Sequence, residues 1–219
     1  MADFIIHTIP GSPFARSVMM ALMEKGADWQ IAPLAPGTLK QQPHLSRHPF
    51  GRMPVLEHGD FSLYETQAIL RYIDRVLPEP PLTPADAKSA ARMDQLMNIN
   101  DWYLFQGAGN VIAFQRVVGP RLMGLVADEA AIMAAMPKAQ AAFDELSRLL
   151  GEQPFLAGAQ LSLADLLIAP QLDFFAQAPE WAALTAANPR LVAWLKRMNA
   201  RPSMKATTWE EVAAMACAM

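Results

Sequence analysis

A single cysteine, Cys217, stands in this chain of 219 residues. Without a second one there is no intramolecular disulfide, no thiolate zinc cage and no C-x-x-C redox pair, so any thiol chemistry must use a thiol supplied by a ligand. A basic block is also lacking. The 18 Lys and Arg residues are interspersed with 21 Asp and Glu, for a formal net charge of −3, which removes the positive stripe that tracks phosphates and excludes nucleic acid as a partner. Long apolar runs are missing as well. Asp165, Asp173 and several prolines cut them short of the roughly 20 residues that span a bilayer. The opening "MADFIIHTIPGSP" has no positive region followed by a long apolar segment and a small-residue cleavage site. A soluble, cytoplasmic protein with no membrane partner is expected. Of four histidines, His44 and His48 share a helical spacing, but no third ligand accompanies them and Pro49 follows at once. A solvated loop without metal is expected there.

What is present is an apolar fraction of 53%, enough for a sizeable core in one large or two small domains. Residues 3 to 9, "DFIIHTI", read as a strand broken by Pro10, Gly11 and Ser12. Ser12 is a good helix cap and Pro13 suits a first helical position. Phe14, Val18, Ala21 and Leu22 recur at helical spacing, and Gly26 is a plausible stop. A strand near Trp29 to Leu34 completes a β-α-β unit. Two short strands, Val55 to Glu57 and Phe61 to Leu63, flank a turn at His58, Gly59 and Asp60. Thr66 to Leu77 forms a helix with Ile69, Leu70, Ile73, Val76 and Leu77 on one face.

The proline-dense stretch "PEPPLTPADA" at 78 to 87 is the expected linker between a first domain, 1 to 77, and a second, 88 to 219. Beyond it the pattern is helical throughout, with helices over roughly 86 to 118, 128 to 150, 163 to 177, 189 to 200 and 203 to 216. Within it, Ser162 and Asp165 have the spacing of a capping box, with Leu161 and Leu166 placed as a hydrophobic staple. This feature is structural. The architecture is α/β followed by all-α.

Four stretches, "GSPFARSV" at 11 to 18, "HPFGRMPVLEHGD" at 48 to 60, "LYETQAILRYI" at 63 to 73 and "FLAGAQLSLADLLIAP" at 155 to 170, together resemble the cytosolic glutathione transferases. The likeness is greatest to serine-type members of a phi and theta-like bacterial branch. It implies an N-terminal thioredoxin-like domain, a helical C-terminal domain, a homodimer and a role in detoxification. It also implies glutathione as co-substrate with no further cofactor, conjugated to a small hydrophobic electrophile. By its register Ser12 is the catalytic residue, a donor to the glutathione sulfur, with no neighbouring base to make it a nucleophile. The same hydroxyl can cap the helix through its lone pairs, because accepting from the amide of Phe14 or Ala15 leaves its hydrogen free.

The resemblance further assigns glutathione binding to Lys40, Arg52, Met53, Pro54, Glu65 and Thr66, with the Met53–Pro54 bond cis. Leu39 stands where phi-type members often carry a histidine and Arg52 where they carry a glutamine, while Lys40 matches. A cation at Lys40 or Arg52 would pair with the glycyl carboxylate. Thr66 and the helix amides would hold the γ-glutamyl carboxylate, and Glu65 its ammonium. The electrophile pocket would lie between the domains near Phe14, Trp102, Tyr103 and Phe105, although an aromatic cluster at such spacings is more often core. Asp101 would reach the glutamyl ammonium across a dimer interface. Two alternatives stay open: a non-catalytic glutathione- or ligand-binding module, and a glutathione-dependent peroxidase or isomerase using the same site.

Overall fold

A computed structural model describes residues 3–218 of the chain. Its contacts divide into two compact units, Met1–Pro81 with Arg201–Met219, and Leu82–Ala200.

The first unit is built on a four-stranded sheet in the order β2-β1-β3-β4. β1 (Phe4–Thr8) and β2 (Trp29–Pro33) are parallel, joined through helix α1 (Pro13–Glu24). β3 (Val55–His58) runs antiparallel to β1 and β4 (Phe61–Tyr64) antiparallel to β3. Helices α1 and α3 (Thr66–Val76) pack on each other, and Val18, Leu22, Ile69, Leu70 and Ile73 are fully buried along with Ile6 of β1. These are the apolar positions whose periodicity marked the elements. Lys25 caps the C-terminus of α1, where a cation is favoured by the helix dipole. Its ammonium donates to Asp74 of α3 and to the carbonyl of Pro80, at 2.6 Å each.

Two sequence expectations are corrected in this unit. The polar connection holds a short helix, α2 (His44–Arg47), and neither histidine is solvated, both being 2% exposed. A single helical turn bracketed by prolines has no apolar periodicity, so nothing in the pattern marked it. The last expected helix, 203 to 216, is two: α10 (Pro202–Lys205) and α11 (Trp209–Cys217). Thr208 breaks the run because its hydroxyl accepts from the Glu211 amide and starts a new helix.

This C-terminal segment packs with the first unit, although the sequence grouped 88 to 219 together. Arg16, on α1, donates to the Met204 carbonyl at 2.8 Å and to the Thr207 hydroxyl at 3.3 Å. Glu24, at the other end of α1, receives a two-pronged contact from Arg201 at 2.9 and 2.6 Å and a hydroxyl from Ser203. Burial alone would raise the Glu24 carboxyl, but the hydrogen bonds from Arg201 and Ser203 and the Arg201 charge outweigh it and hold it below its ordinary value. A lowered carboxyl stabilises the fold above the unfolded value near 4.5 and loses that contribution as pH falls through the folded one. Glu24→Gln is therefore expected to cost about 1 to 3 kcal/mol at neutral pH. The deficit should shrink below the carboxylate range, as read from urea midpoints of both proteins across acid pH.

The second unit is helical: α4 (Ala87–Ile99), a π-helix (Asn100–Val118), α5 (Gly119–Met123), α6 (Glu129–Leu150), α7 (Leu163–Phe175), α8 (Trp181–Thr185) and α9 (Pro189–Asn199). The expected helix over 86 to 118 is thus α-helical only to Ile99. Beyond it the chain winds as a π-helix, on which Trp102 and Tyr103 are 62% and 65% exposed and so are not core. α7 is buried on nearly all sides, packed by α4, α9 and the π-helix. Ser162 and Asp165 form the capping box, the Ser162 amide and hydroxyl both donating to Asp165 Oδ2. Among the described residues no helix is long and apolar enough to cross a membrane.

Candidate active site

Strand register decides what meets what. His7 of β1 stands opposite Val55 of β3, which stands opposite Tyr64 of β4. The chain leaving β1, the chain entering β3 and the chain leaving β4 therefore lie at one end of the sheet. Those three segments carry Ser12, Met53 with Pro54, and Glu65 with Thr66. The N-termini of α1 and α3 open at this same end, each with the positive pole of its backbone dipoles.

Ser12 is 8% exposed and caps α1, its Oγ accepting from the Ala15 amide at 3.2 Å. Among the described residues no acceptor takes its hydroxyl hydrogen. Pro13 takes the first helical position and Phe14 follows, half-buried. Gly11 precedes the cap at φ +90°, a conformation that side-chain-bearing residues rarely adopt.

The Met53–Pro54 peptide is cis, as the resemblance implies. The Met53 thioether accepts from the Ile9 amide at 3.2 Å, with the Thr8 hydroxyl at 3.8 Å. This ties the cis-proline loop to the end of β1, just before Ser12. Neither the Met53 amide nor its carbonyl is engaged among the described residues. Glu65 adopts φ 70° where β4 passes into α3 and its side chain caps no amide, and Thr66 beside it is buried.

The loop before Pro54 rests on the two histidines that sequence reasoning read as solvent-exposed. His44 Nε2 lies 2.7 Å from the Arg52 carbonyl. The His48 ring packs on Tyr64 at 4.6 Å and edge-on to Phe50 at 6.2 Å. Burial pushes the His48 pKa down, Glu65 opposing and His44 and Arg52 adding to the shift, which favours a neutral ring. Gly51, at φ +59°, leaves no space for a side chain: a Cβ there would stand 2.8 Å from the Leu39 carbonyl and 3.0 Å from Lys40 Cγ. That close approach puts Lys40 beside the Gly51–Arg52 turn. Both Lys40 and Arg52 are exposed, and among the described residues neither forms an ion pair. The "HPFGRMP" run held the signal for this support, since a glycine between two bulky neighbours marks a close backbone approach.

The four candidate electrophile residues are not all on one unit. Phe14 belongs to the first, at the sheet end just described; Trp102, Tyr103 and Phe105 belong to the second, on the π-helix. Asp101 accepts from the Asn100 side chain at 2.9 Å. Taken alone, the sheet end presents a hydroxyl donor at one helix N-terminus, an unpaired backbone amide and carbonyl at the cis-proline, the positive pole of a second helix, and two exposed cations outside any ion pair among the described residues. That set suits a small extended ligand bearing carboxylates at its ends and a polarisable group in the middle.

Residues 2–75 match the family described as Glutathione S-transferase, N-terminal domain, and residues 111–202 that described as Glutathione S-transferase, C-terminal domain. A curated relative, glutathione S-transferase 3 of Zea mays, is 32% identical over 94% of this chain and 94% of its own. Glutathione transferase F7 of Populus trichocarpa superposes with a TM-score of 0.84 at 27% identity, covering 97% of this chain and 98% of that one. A glutathione S-transferase-I bound with the ligand lactoylglutathione superposes with a TM-score of 0.82 at 29% identity, covering 98% of this chain and 100% of its own. The curated relatives in this group are plant proteins of the phi class, so the bacterial branch expected from sequence gains no support from them.

Proposed function

The chain belongs to the glutathione S-transferase family and is a glutathione transferase, and from that premise we propose how its own residues hold and activate the tripeptide. The observation that carries the reading is the meeting of Ser12, the Met53–Pro54 turn and the α3 N-terminus at one end of the sheet. A free cysteine thiol ionises near pH 8.5, so only a few per cent is thiolate at pH 7. Lowering that value by about two units takes roughly 2.7 kcal/mol of preferential thiolate stabilisation. One hydrogen bond to a charged group contributes about 1.5 to 3 kcal/mol, and the α1 dipole about 0.3 to 1. The Ser12 hydroxyl, with its hydrogen uncommitted, and the start of α1 are together of sufficient size.

In this reading the Met53 amide and carbonyl pair with the cysteinyl backbone. The α3 amides and Thr66 receive the γ-glutamyl carboxylate and Glu65 its ammonium, while Lys40 and Arg52 receive the glycyl carboxylate. The thiol proton passes to solvent, and the thiolate attacks an electrophilic carbon whose leaving group departs with the bonding pair. The electrophile is small and apolar; Phe14 is its candidate contact on the first unit, and Trp102, Tyr103 and Phe105 are the candidates on the second. Glutathione is a co-substrate and no further cofactor is required. A cytoplasmic homodimer serving detoxification, with Asp101 reaching the ammonium across its interface, completes the proposal.

Retention on immobilised glutathione together with turnover of an aryl halide is the test. Elution by free glutathione and saturable conjugation are expected. Tight retention without turnover of several electrophiles would instead favour a binding module, and loss of retention would remove the site.

A further inference from the structure

Gly11, the residue before Ser12, is covered by an aromatic ring from the far end of the chain. A Cβ built on Gly11 would stand 2.3 Å from Cε3 and Cζ3 and 2.6 Å from Cδ2 of Trp209. The six-membered ring of the indole thus lies directly on the Gly11 backbone, in space that any other residue's side chain would fill. Trp209 opens α11, which packs on β2 and is capped by Thr208. Its placement is fixed from a second direction. Thr207 donates to the Ser203 carbonyl at 2.6 Å and receives Arg16 from α1. A closed circuit of contacts results: Ser12 caps α1, Arg16 one turn later holds Thr207, and Trp209 returns to press on Gly11.

We propose that Trp209 is a positioning residue for Ser12, and that the C-terminal segment is part of the thiol-activating site. The inference rests on Ser12 donating to the glutathione sulfur. A glycine at φ +90° has neighbouring conformations open to it at little cost. The ring removes them, and with them the orientations in which the Ser12 hydroxyl points away from the sulfur. A hydrogen bond to a thiolate depends steeply on that direction.

The experiment compares Trp209→Leu, Trp209→Phe and Thr207→Val with the full-length wild type. The readouts are the ultraviolet titration of bound glutathione, the KM for glutathione and the pH profile of kcat. Trp209→Leu is expected to raise the bound thiol's pKa by about one unit. Its kcat should fall about threefold at neutral pH, as the thiolate fraction falls, and recover in alkali, where the thiolate forms without help. Trp209→Phe, which keeps a six-membered ring, should restore most of both. Thr207→Val, which leaves no cavity, should shift the pKa in the same direction by less, and it decides the matter if Trp209→Leu does not fold. An unchanged bound pKa in whichever of these two variants folds, or a loss of kcat uniform across pH, overturns the proposal. If the wild type itself fails to lower the thiol pKa, the reading of Ser12 fails first.

Discussion

Asp165→Ala is expected to destabilise the helical unit by about 3 to 5 kcal/mol, because one buried carboxyl is the acceptor for several neutral buried donors. Asp165 is fully buried. Its Oδ1 accepts from the Leu156 amide and the Trp194 indole, each at 2.8 Å. Its Oδ2 accepts from the Ser162 amide at 3.0 Å and the Ser162 hydroxyl at 2.7 Å. One carboxylate thereby satisfies a loop, the start of α7 and a buried residue of α9. Alanine leaves these donors without a partner, and each buried unsatisfied group costs about 1 to 3 kcal/mol. Asp165→Asn is the informative control: it keeps the shape and one acceptor but turns an amide donor on donors, so most of the loss should remain. Since domains of this size are held by about 5 to 15 kcal/mol, the alanine protein should unfold at a much lower urea midpoint than the wild type. A midpoint shift worth under 1 kcal/mol would mean that the capping box contributes little.

Ser12→Ala is expected to lower kcat/KM for conjugation at neutral pH by about 10- to 100-fold, the loss of one charged hydrogen bond of about 1.5 to 3 kcal/mol at 1.36 kcal/mol per decade. The same change removes the α1 cap, at a cost of about 1 kcal/mol in stability. The two roles separate in Ser12→Asp. Aspartate still accepts from the Ala15 amide, so stability should hold or rise. It has no proton to donate and sets a negative charge beside the sulfur, so activity should fall at least as far as in alanine. A protein that is stable yet inactive marks the hydroxyl as donor, and one that loses stability and activity together in both variants marks it as a cap alone.

The parts of this molecule written in short-range pattern were legible from sequence. Strand punctuation at Pro10 to Ser12, the turn at Gly59 and the apolar face of α3 place the sheet end at which Ser12, Met53 and Thr66 meet. The family resemblance supplied the cis bond at Pro54, which no local pattern distinguishes from a trans one. What escaped depends on contacts distant in sequence. Arg16 is a buried donor to Met204 and Thr207, 188 and 191 residues further along the chain. His44 and His48 read as polar loop and are instead the footing of the Arg52 turn. The break ahead of α11 did carry a signal, because Thr208 and Glu211 have capping-box spacing. The π-helix did not: the apolar pattern of 100 to 118 suits either winding, and nothing local marked Trp102 and Tyr103 as exposed.

The most direct test is the thiolate absorbance of enzyme-bound glutathione followed against pH in the wild type and in Ser12→Ala. In the wild type the bound thiol should titrate about two units below its free value of about 8.5, and in the variant most of that displacement should vanish while glutathione stays bound. Superimposable titrations of the two proteins would contradict the account.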